Sequence, residues 1–199
     1  METVMAQPAG REPVVFGHAL ETLLAAAAPL TSDTLAALER IGVSALRPLN
    51  AAYPYAMWPQ AIHLLAGATF MPARTEEAEY ALGQRFIVHA RHSKLGAAMD
   101  DLARVVGAER MLLRMSHNLR TTTNVLEAGV TPRSEDTGWE LLLRPVAEFA
   151  RAPGLPTEPP HFIRGLLTAA LQRAGAPAAR VEVLRHDAAR ATTTFHVTL

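Results

Sequence analysis

The sequence contains no cysteine, a single lysine (Lys94) and no long apolar run. Without thiols the chain cannot form disulfides, thiolate zinc sites or iron–sulfur clusters, and it has no cysteine nucleophile. The longest near-continuous apolar run, residues 23–30, is far shorter than the roughly 20 residues of a membrane-spanning helix. The residues before this run lack the basic region of a secretory signal. We therefore expect a cytoplasmic protein with no membrane partner.

Neither sign of charge is in excess. The 19 basic residues balance 19 acidic residues, so the formal net charge is zero, which argues against a nucleic-acid partner. With 199 residues, 49% of them hydrophobic, the chain is long enough for one sizeable core. Residues 1–12 contain Pro8 and Gly10 and show no apolar periodicity, which predicts a flexible tail. The remainder, residues 13–199, is predicted to form a single domain.

The first half of the chain has the apolar spacing of amphipathic helices. Thr75 is expected to cap the fourth helix, and Gly107 is expected to end the fifth. The predicted helices span residues 16–28, 32–41, 55–70, 76–92, 94–106 and 109–119.

The second half changes to the alternating pattern of strands. Two strands joined by a turn-rich loop are followed by a proline-rich connector, a helix and two further strands. These segments span residues 123–130, 139–144, 152–160, 161–174, 180–185 and 191–199. The predicted fold class is α+β, with a helical N-terminal half followed by a β-β-α-β-β antiparallel sheet packed on helices. Because nothing follows the last strand, we expect its edge to pair with a second copy or another protein.

Several short segments occur in a characteristic order and spacing. They are Val15–Leu24, Ala52–Trp58, Leu82–Phe86, Arg114–Thr121 ahead of Asn124, Pro160–Leu167, Ala174–Ala176 and Val181–Arg185. Together they resemble a paralogous family of uncharacterised proteins expanded in myxobacteria, a domain of unknown function. The resemblance extends over nearly the full length. It implies a soluble regulatory or accessory protein and supplies no activity, cofactor or catalytic residue.

The predicted order of elements is also similar to the ligand-binding fold of haem nitric-oxide sensors, vinyl-reductase-type sensor domains and small Golgi transport-particle subunits. A haem sensor of that kind carries a proximal histidine and a Tyr-x-Ser-x-Arg signature. The signature is absent from this sequence. The resemblance therefore implies the fold without the haem, and we expect no cofactor.

A row of cations is the first candidate site. Arg110, Arg114, His117 and Arg120 recur at i, i+4, i+7 and i+10 of the predicted helix 109–119, so they should share one face. Guanidinium groups in such a row can hold a carboxylate or phosphate. The alternative is an ordinary solvated face near a helix C-terminus.

An aromatic cluster is the second candidate. Tyr55 and Trp58 flank a predicted helix start between two prolines, where they could line an apolar pocket or contact a partner. The alternative is that both rings pack in the core and fix the entry of the helix.

Histidines suggest a third site, because His89 and His92 are three residues apart on one predicted helix and His63 lies on its neighbour. The alternative is that His89 packs with Leu82 and Phe86 while His92 is solvated. No hydrolase, nucleotide-binding or zinc-protease motif occurs. We therefore predict a regulatory module that is not an enzyme and binds a small anionic or hydrophobic molecule, a protein partner or a second copy. A metal-dependent enzyme or metalloprotein using the three histidines is the alternative.

Overall fold

A computed structural model of the chain describes residues 11–92, 97, 101–102, 104–133 and 138–199. Of the predicted tail, only Arg11 and Glu12 lie within this range. Of the predicted helix 94–106, residues 97, 101–102 and 104–106 are described, and all of them are helical.

The N-terminal half is helical, as predicted, with two short strands in addition. Its strands are β1 (Val14–Phe16) and β2 (Ala52–Pro54), and its helices are α1 (Gly17–Ala27), α2 (Ser32–Arg40), α3 (Met57–Phe70), α4 (Thr75–Ala90), α5 (Ala108–Leu113) and α6 (Met115–Leu119). Strands β1 and β2 pair antiparallel and place Val15 opposite Tyr53. Three-residue strands are too short to show a period of two, so the sequence pattern missed them.

One helix of this half is capped by a side chain, and the predicted cap of another is absent. The backbone N–H of Thr34 donates to the hydroxyl of Thr31, which caps α2 at 3.2 Å. The predicted cap of α4 by Thr75 is wrong, because Thr75 is already the first helical residue and no side chain caps that helix. Negative charge in its first turn, from Glu76 and Glu77, is the remaining favourable feature of this helix start.

The C-terminal half forms the predicted β-β-α-β-β unit. Its elements are β3 (Leu126–Pro132), β4 (Trp139–Pro145), a 3₁₀ turn (Ala147–Phe149), α7 (His161–Arg173), β5 (Arg180–Asp187) and β6 (Thr192–Thr198). The four strands form one antiparallel sheet in the order β3-β4-β6-β5.

The last strand lies inside this sheet and not at its edge. Val197 in β6 is opposite Trp139 of β4 on one side and opposite Val181 of β5 on the other. The expectation that β6 presents an uncovered edge is therefore wrong, and the edge strands are β3 and β5. Alternation along a strand reports which face is buried, whereas strand order depends on partners distant in the sequence.

One face of the sheet contributes to the core. Leu141, Leu143 and Phe195 point to this face and are buried together with Leu65 and Leu167 of the helices. The opposite face is polar. On it, the Arg144 Nε donates to the Glu127 carboxylate at 2.9 Å.

Helices α4 and α7 approach each other through two glycines. A Cβ atom at Gly83 would lie 2.0 Å from the Phe162 carbonyl oxygen, and one at Gly165 would lie 2.0 Å from the Tyr80 carbonyl oxygen. The two backbones are therefore in direct contact. This contact brings Tyr80 of α4 beside Arg164 of α7.

Within the part of the chain that the structure describes, every helix falls short of the length and apolar character that a membrane span requires.

Candidate functional site

A groove of about 290 Å³ opens between α4, α7 and β5. We call it the α7–β5 groove. Its lining residues are Tyr80 from α4, Arg164, Thr168 and Gln172 from α7, and Ala179, Arg180, Val181 and Glu182 at the start of β5. The three α7 residues are four positions apart, so they lie along a single face of that helix.

Arg164 is the central cation of the groove. Its guanidinium carbon lies over the Tyr80 ring, 4.6 Å from the ring centroid, in a cation–π contact. The Arg164 Nε atom is buried and has no hydrogen-bond partner among the described residues. A guanidinium carries five N–H donors, and a buried donor without an acceptor costs about 1–3 kcal/mol. Arg164 therefore has donor capacity that the protein itself does not use.

The other polar groups limit the groove and set its charge. The Thr168 hydroxyl donates to the Arg164 carbonyl at 2.9 Å, and the Gln172 amide donates to the Ala179 carbonyl at 3.3 Å, which closes one end. Arg180 and Glu182 are exposed at the β5 side. Val181 faces the core side of the sheet, so the side chains of Arg180 and Glu182 alternate to the polar side, and Arg164 is the cation that faces the groove from α7. The groove therefore suits an anion.

His161, one turn before Arg164 on α7, continues the same polar face. It is 9% exposed, and its Nδ1 atom is buried without a hydrogen-bond partner among the described residues. Its Nε2 atom lies 4.0 Å from a carboxylate oxygen of Glu76 on α4. Burial lowers the pKa of His161, as does the Arg164 charge, while Glu76 and Glu158 act in the opposite direction.

This lowered pKa predicts a loss of stability in acid. The unfolded chain, whose histidines titrate near an ordinary pKa of about 6.5, takes up a proton more readily than the folded His161 does. The free energy of unfolding should therefore fall as pH decreases from about 6.5 through the lower folded pKa. Urea unfolding over this range should show a smaller fall for His161→Gln than for the native chain. His117→Gln, at an exposed position on another helix, is the control and should keep the native slope.

The predicted row of cations does not share one helix. Helix α5 ends at Leu113 and α6 begins at Met115, so Arg114 occupies the junction between them. The prediction of one continuous helix over 109–119 is therefore wrong. The four side chains, those of Arg110, Arg114, His117 and Arg120, are all exposed. Arg120 lies 3.9 Å from the Glu127 carboxylate, and an anion site at this row stays a prediction.

Both members of the aromatic candidate pair lie in the core and outside the lining of the α7–β5 groove. Tyr55 is 3% exposed and Trp58 is 5% exposed. The Trp58 ring makes edge-to-face contacts with Phe86 and Phe162, at centroid distances of 6.5 and 5.8 Å. Burial raises the pKa of Tyr55 far above its ordinary value, so its hydroxyl stays protonated.

The three histidines of the metal hypothesis do not converge. The rings of His89 and His92 are neighbours, with centroids 5.9 Å apart. The exposed His63 instead lies 3.6 Å from the Glu79 carboxylate. On α4, position 79 is roughly 15 Å from position 89 at 1.5 Å per residue, so His63 lies far from the pair. Among the described residues no three His, Cys, Asp or Glu side chains are grouped to hold a metal ion.

The sequence analysis missed Tyr80 and Arg164. A signal for part of the groove was present, because Arg164, Thr168 and Gln172 form a polar stripe on an otherwise apolar helix. The contact with Tyr80 had no such signal, since it joins positions 84 residues apart in the sequence.

When the chain is compared with the sequence profiles of known families, one family matches. The profile of the family described as "Protein of unknown function (DUF2378)" matches residues 13–198. No curated protein matches the chain significantly.

Among solved structures, H-NOX proteins are similar to this chain. A doubly substituted Tt H-NOX has 10% sequence identity and a TM-score of 0.61, over 92% of both chains. An oxygen-binding H-NOX domain related to soluble guanylate cyclases has 12% identity and a TM-score of 0.59, over 91% of this chain and 92% of that one. The Fe(II) unliganded H-NOX protein from K. algicida has 12% identity and a TM-score of 0.55, over 92% and 95%. At such low identity the likeness concerns the fold alone. The predicted fold similarity to haem nitric-oxide sensors is confirmed.

Proposed function

Since the chain belongs to the family described as "Protein of unknown function (DUF2378)", which names no activity, we propose a function from the groove. The protein is a cytoplasmic, non-enzymatic regulatory module that binds an anionic group in the α7–β5 groove. One observation carries the proposal: the Arg164 guanidinium lies over the Tyr80 ring in the groove, and its Nε atom has no hydrogen-bond partner among the described residues.

The chemistry of Arg164 favours a carboxylate or a phosphate. A guanidinium is planar and presents its N–H donors in a fork, and this fork matches two oxygens of either anion. Thr168 donates its hydroxyl hydrogen and Gln172 donates one of its two amide hydrogens to backbone carbonyls, so Arg164 supplies the main free donors. No lining residue forms an activated nucleophile with a base among the described contacts, which favours binding over catalysis.

The fold similarity suggests haem as a bound group, because one similar structure is described as oxygen-binding and another as Fe(II) unliganded. A histidine that ligates haem iron must direct a ring nitrogen into an apolar cavity. Four of the eight histidines are exposed: His18, His63, His92 and His117.

The other four have polar surroundings. His186 is hydrogen-bonded to Thr193, and His161 faces Glu76 and Arg164. His89 lies near Arg85 and Arg91. His196 lies opposite Glu140 and Glu182 in the strand register, on the polar face of the sheet. These histidines do not fit haem, and the metalloprotein alternative gains no support from them.

Titration with inorganic phosphate and with succinate, followed by NMR, tests the proposal. Both anions should shift resonances of α7 and of Tyr80. Arg164→Ala should weaken binding by about 1.5–3 kcal/mol, the scale of a hydrogen bond to a charged group, or about 10- to 150-fold in Kd. Arg185→Ala is the matched control, because this exposed arginine is on β5 but does not line the groove.

The same titration compares the groove with the predicted row of cations. If Arg114→Ala weakens binding and Arg164→Ala does not, the anion binds at the row and the groove assignment is wrong. If neither anion shifts any resonance at millimolar concentration, the proposed function itself is wrong.

A further inference from the structure

The α7–β5 groove follows an edge of the sheet. Strand β5 is the last strand in the order β3-β4-β6-β5, so its outer edge has no strand partner within the described residues. Four consecutive positions, Ala179–Glu182, line the groove along this edge. The opposite wall is α7, which packs against β5.

We propose that the groove receives an extended peptide, which adds to β5 as a further antiparallel or parallel strand and places a carboxylate on Arg164. This inference rests on the proposed function and names its partner as an extended protein segment with a free C-terminus. Backbone groups of an edge strand bind such a segment through main-chain hydrogen bonds, and a cation beside the edge can select a carboxylate.

The dimensions match a short peptide. From Arg164 to Gln172, α7 rises by roughly 12 Å, and the four extended residues 179–182 span roughly 13 Å. The groove therefore accommodates about four residues of extended chain.

The two ends of the groove differ, which favours one placement of the carboxylate. The hydrogen bond from Gln172 to Ala179 closes the end near the α7–β5 turn. Arg164 lies two turns of α7 away from Gln172, toward the open end. A peptide carboxylate at this end could accept hydrogen bonds from the Arg164 guanidinium. At the closed end, the Gln172 amide already donates to the protein backbone.

The shape of β5 sets the length of the usable edge. The pairing of β5 with β6 shifts between Val183 and Arg185, which marks a bulge at Leu184. Bulges interrupt edge pairing, so the regular edge ends near Val183. Leu184 is 48% exposed just beyond this point and offers an apolar contact to the incoming peptide.

An array of random pentapeptides with free C-terminal carboxylates, compared with the same array amidated, tests the inference. The strongest binders should lose at least tenfold in affinity on amidation and on Arg164→Ala, but not on Arg185→Ala. Methylation of their backbone nitrogens should also weaken binding. Hydrogen exchange of the complex should slow for backbone amides within 180–183.

The outcomes separate this inference from the proposed function. If phosphate binds through Arg164 while no pentapeptide slows exchange in 180–183, the peptide inference is wrong and the anion-binding function stands. If amidated and free peptides bind equally, the carboxylate assignment is wrong. If light scattering shows a dimer whose β5 amides exchange slowly without peptide, a second copy occupies the edge and the inference is overturned. If neither phosphate nor peptide binding depends on Arg164, both proposals fail.

Discussion

Gly165→Ala should destabilise the protein by about 3 kcal/mol or more, because a methyl group at this position has no space. The new Cβ atom would lie 2.0 Å from the Tyr80 carbonyl oxygen and 2.8 Å from the carbonyl carbon. These are backbone atoms of α4, which cannot rotate away, so α4 and α7 must separate. For a domain of this size the melting temperature should fall by roughly 2–4 °C per kcal/mol, which calorimetry or circular dichroism measures.

Gly67→Ala is the matched control. Gly67 is also helical, in α3, but a Cβ there would meet no atom within 4 Å beyond the adjacent residues and backbone of its own helix. Since alanine is a better helix former than glycine, this variant should gain about 0.5–1 kcal/mol.

A Gly165→Ala protein that melts at the native temperature would show that α4 and α7 are not in backbone contact. The same separation of helices should move Arg164 away from Tyr80, so anion binding should weaken in parallel.

Trp58→Ala should destabilise the protein by about 3–5 kcal/mol, the usual cost of deleting a large aromatic side chain from a core. The Trp58 ring is 5% exposed and contacts Phe86 of α4 and Phe162 of α7, which contact each other at a centroid distance of 5.5 Å. Removing the ring leaves a cavity at the centre of three helices. Urea unfolding of the two proteins measures the difference.

Trp58→Phe is the control for this variant, since it keeps an aromatic ring and should recover much of the lost stability. The comparison also distinguishes the two interpretations of Trp58. A core role predicts a large loss of stability in Trp58→Ala and unchanged anion binding in Trp58→Phe. If Trp58→Ala keeps native stability but loses ligand binding, the ring lines a binding surface and its placement in the core is wrong.

The location of the candidate site explains why sequence patterns identified some candidate site residues and missed others. The row at Arg110, Arg114 and Arg120 was predicted because regular spacing of one residue type is visible along the chain. Arg164 is one of two arginines in α7, a helix that buries most of its surface, and its importance comes from Tyr80 and from the β5 edge. The close approach of α4 and α7 at Gly83 and Gly165 brings Tyr80 to Arg164.

The sequence by itself determined the helical first half, the β-β-α-β-β order of the second half and most element boundaries. It did so because the spacing of apolar residues, glycine breaks and proline-rich connectors are local properties of the chain. The sequence did not predict the break at Arg114, the two short strands or the missing cap of α4, since each depends on a few residues and on their packing.

Only the tertiary structure decided which residues meet. It placed β6 between β4 and β5, separated His63 from His89 and His92, buried Trp58 against Phe86 and Phe162, and assembled the groove beside the β5 edge. These contacts join positions far apart in the chain. Periodicity reports which side of an element is buried, whereas the partner on that side is set by how whole elements pack together.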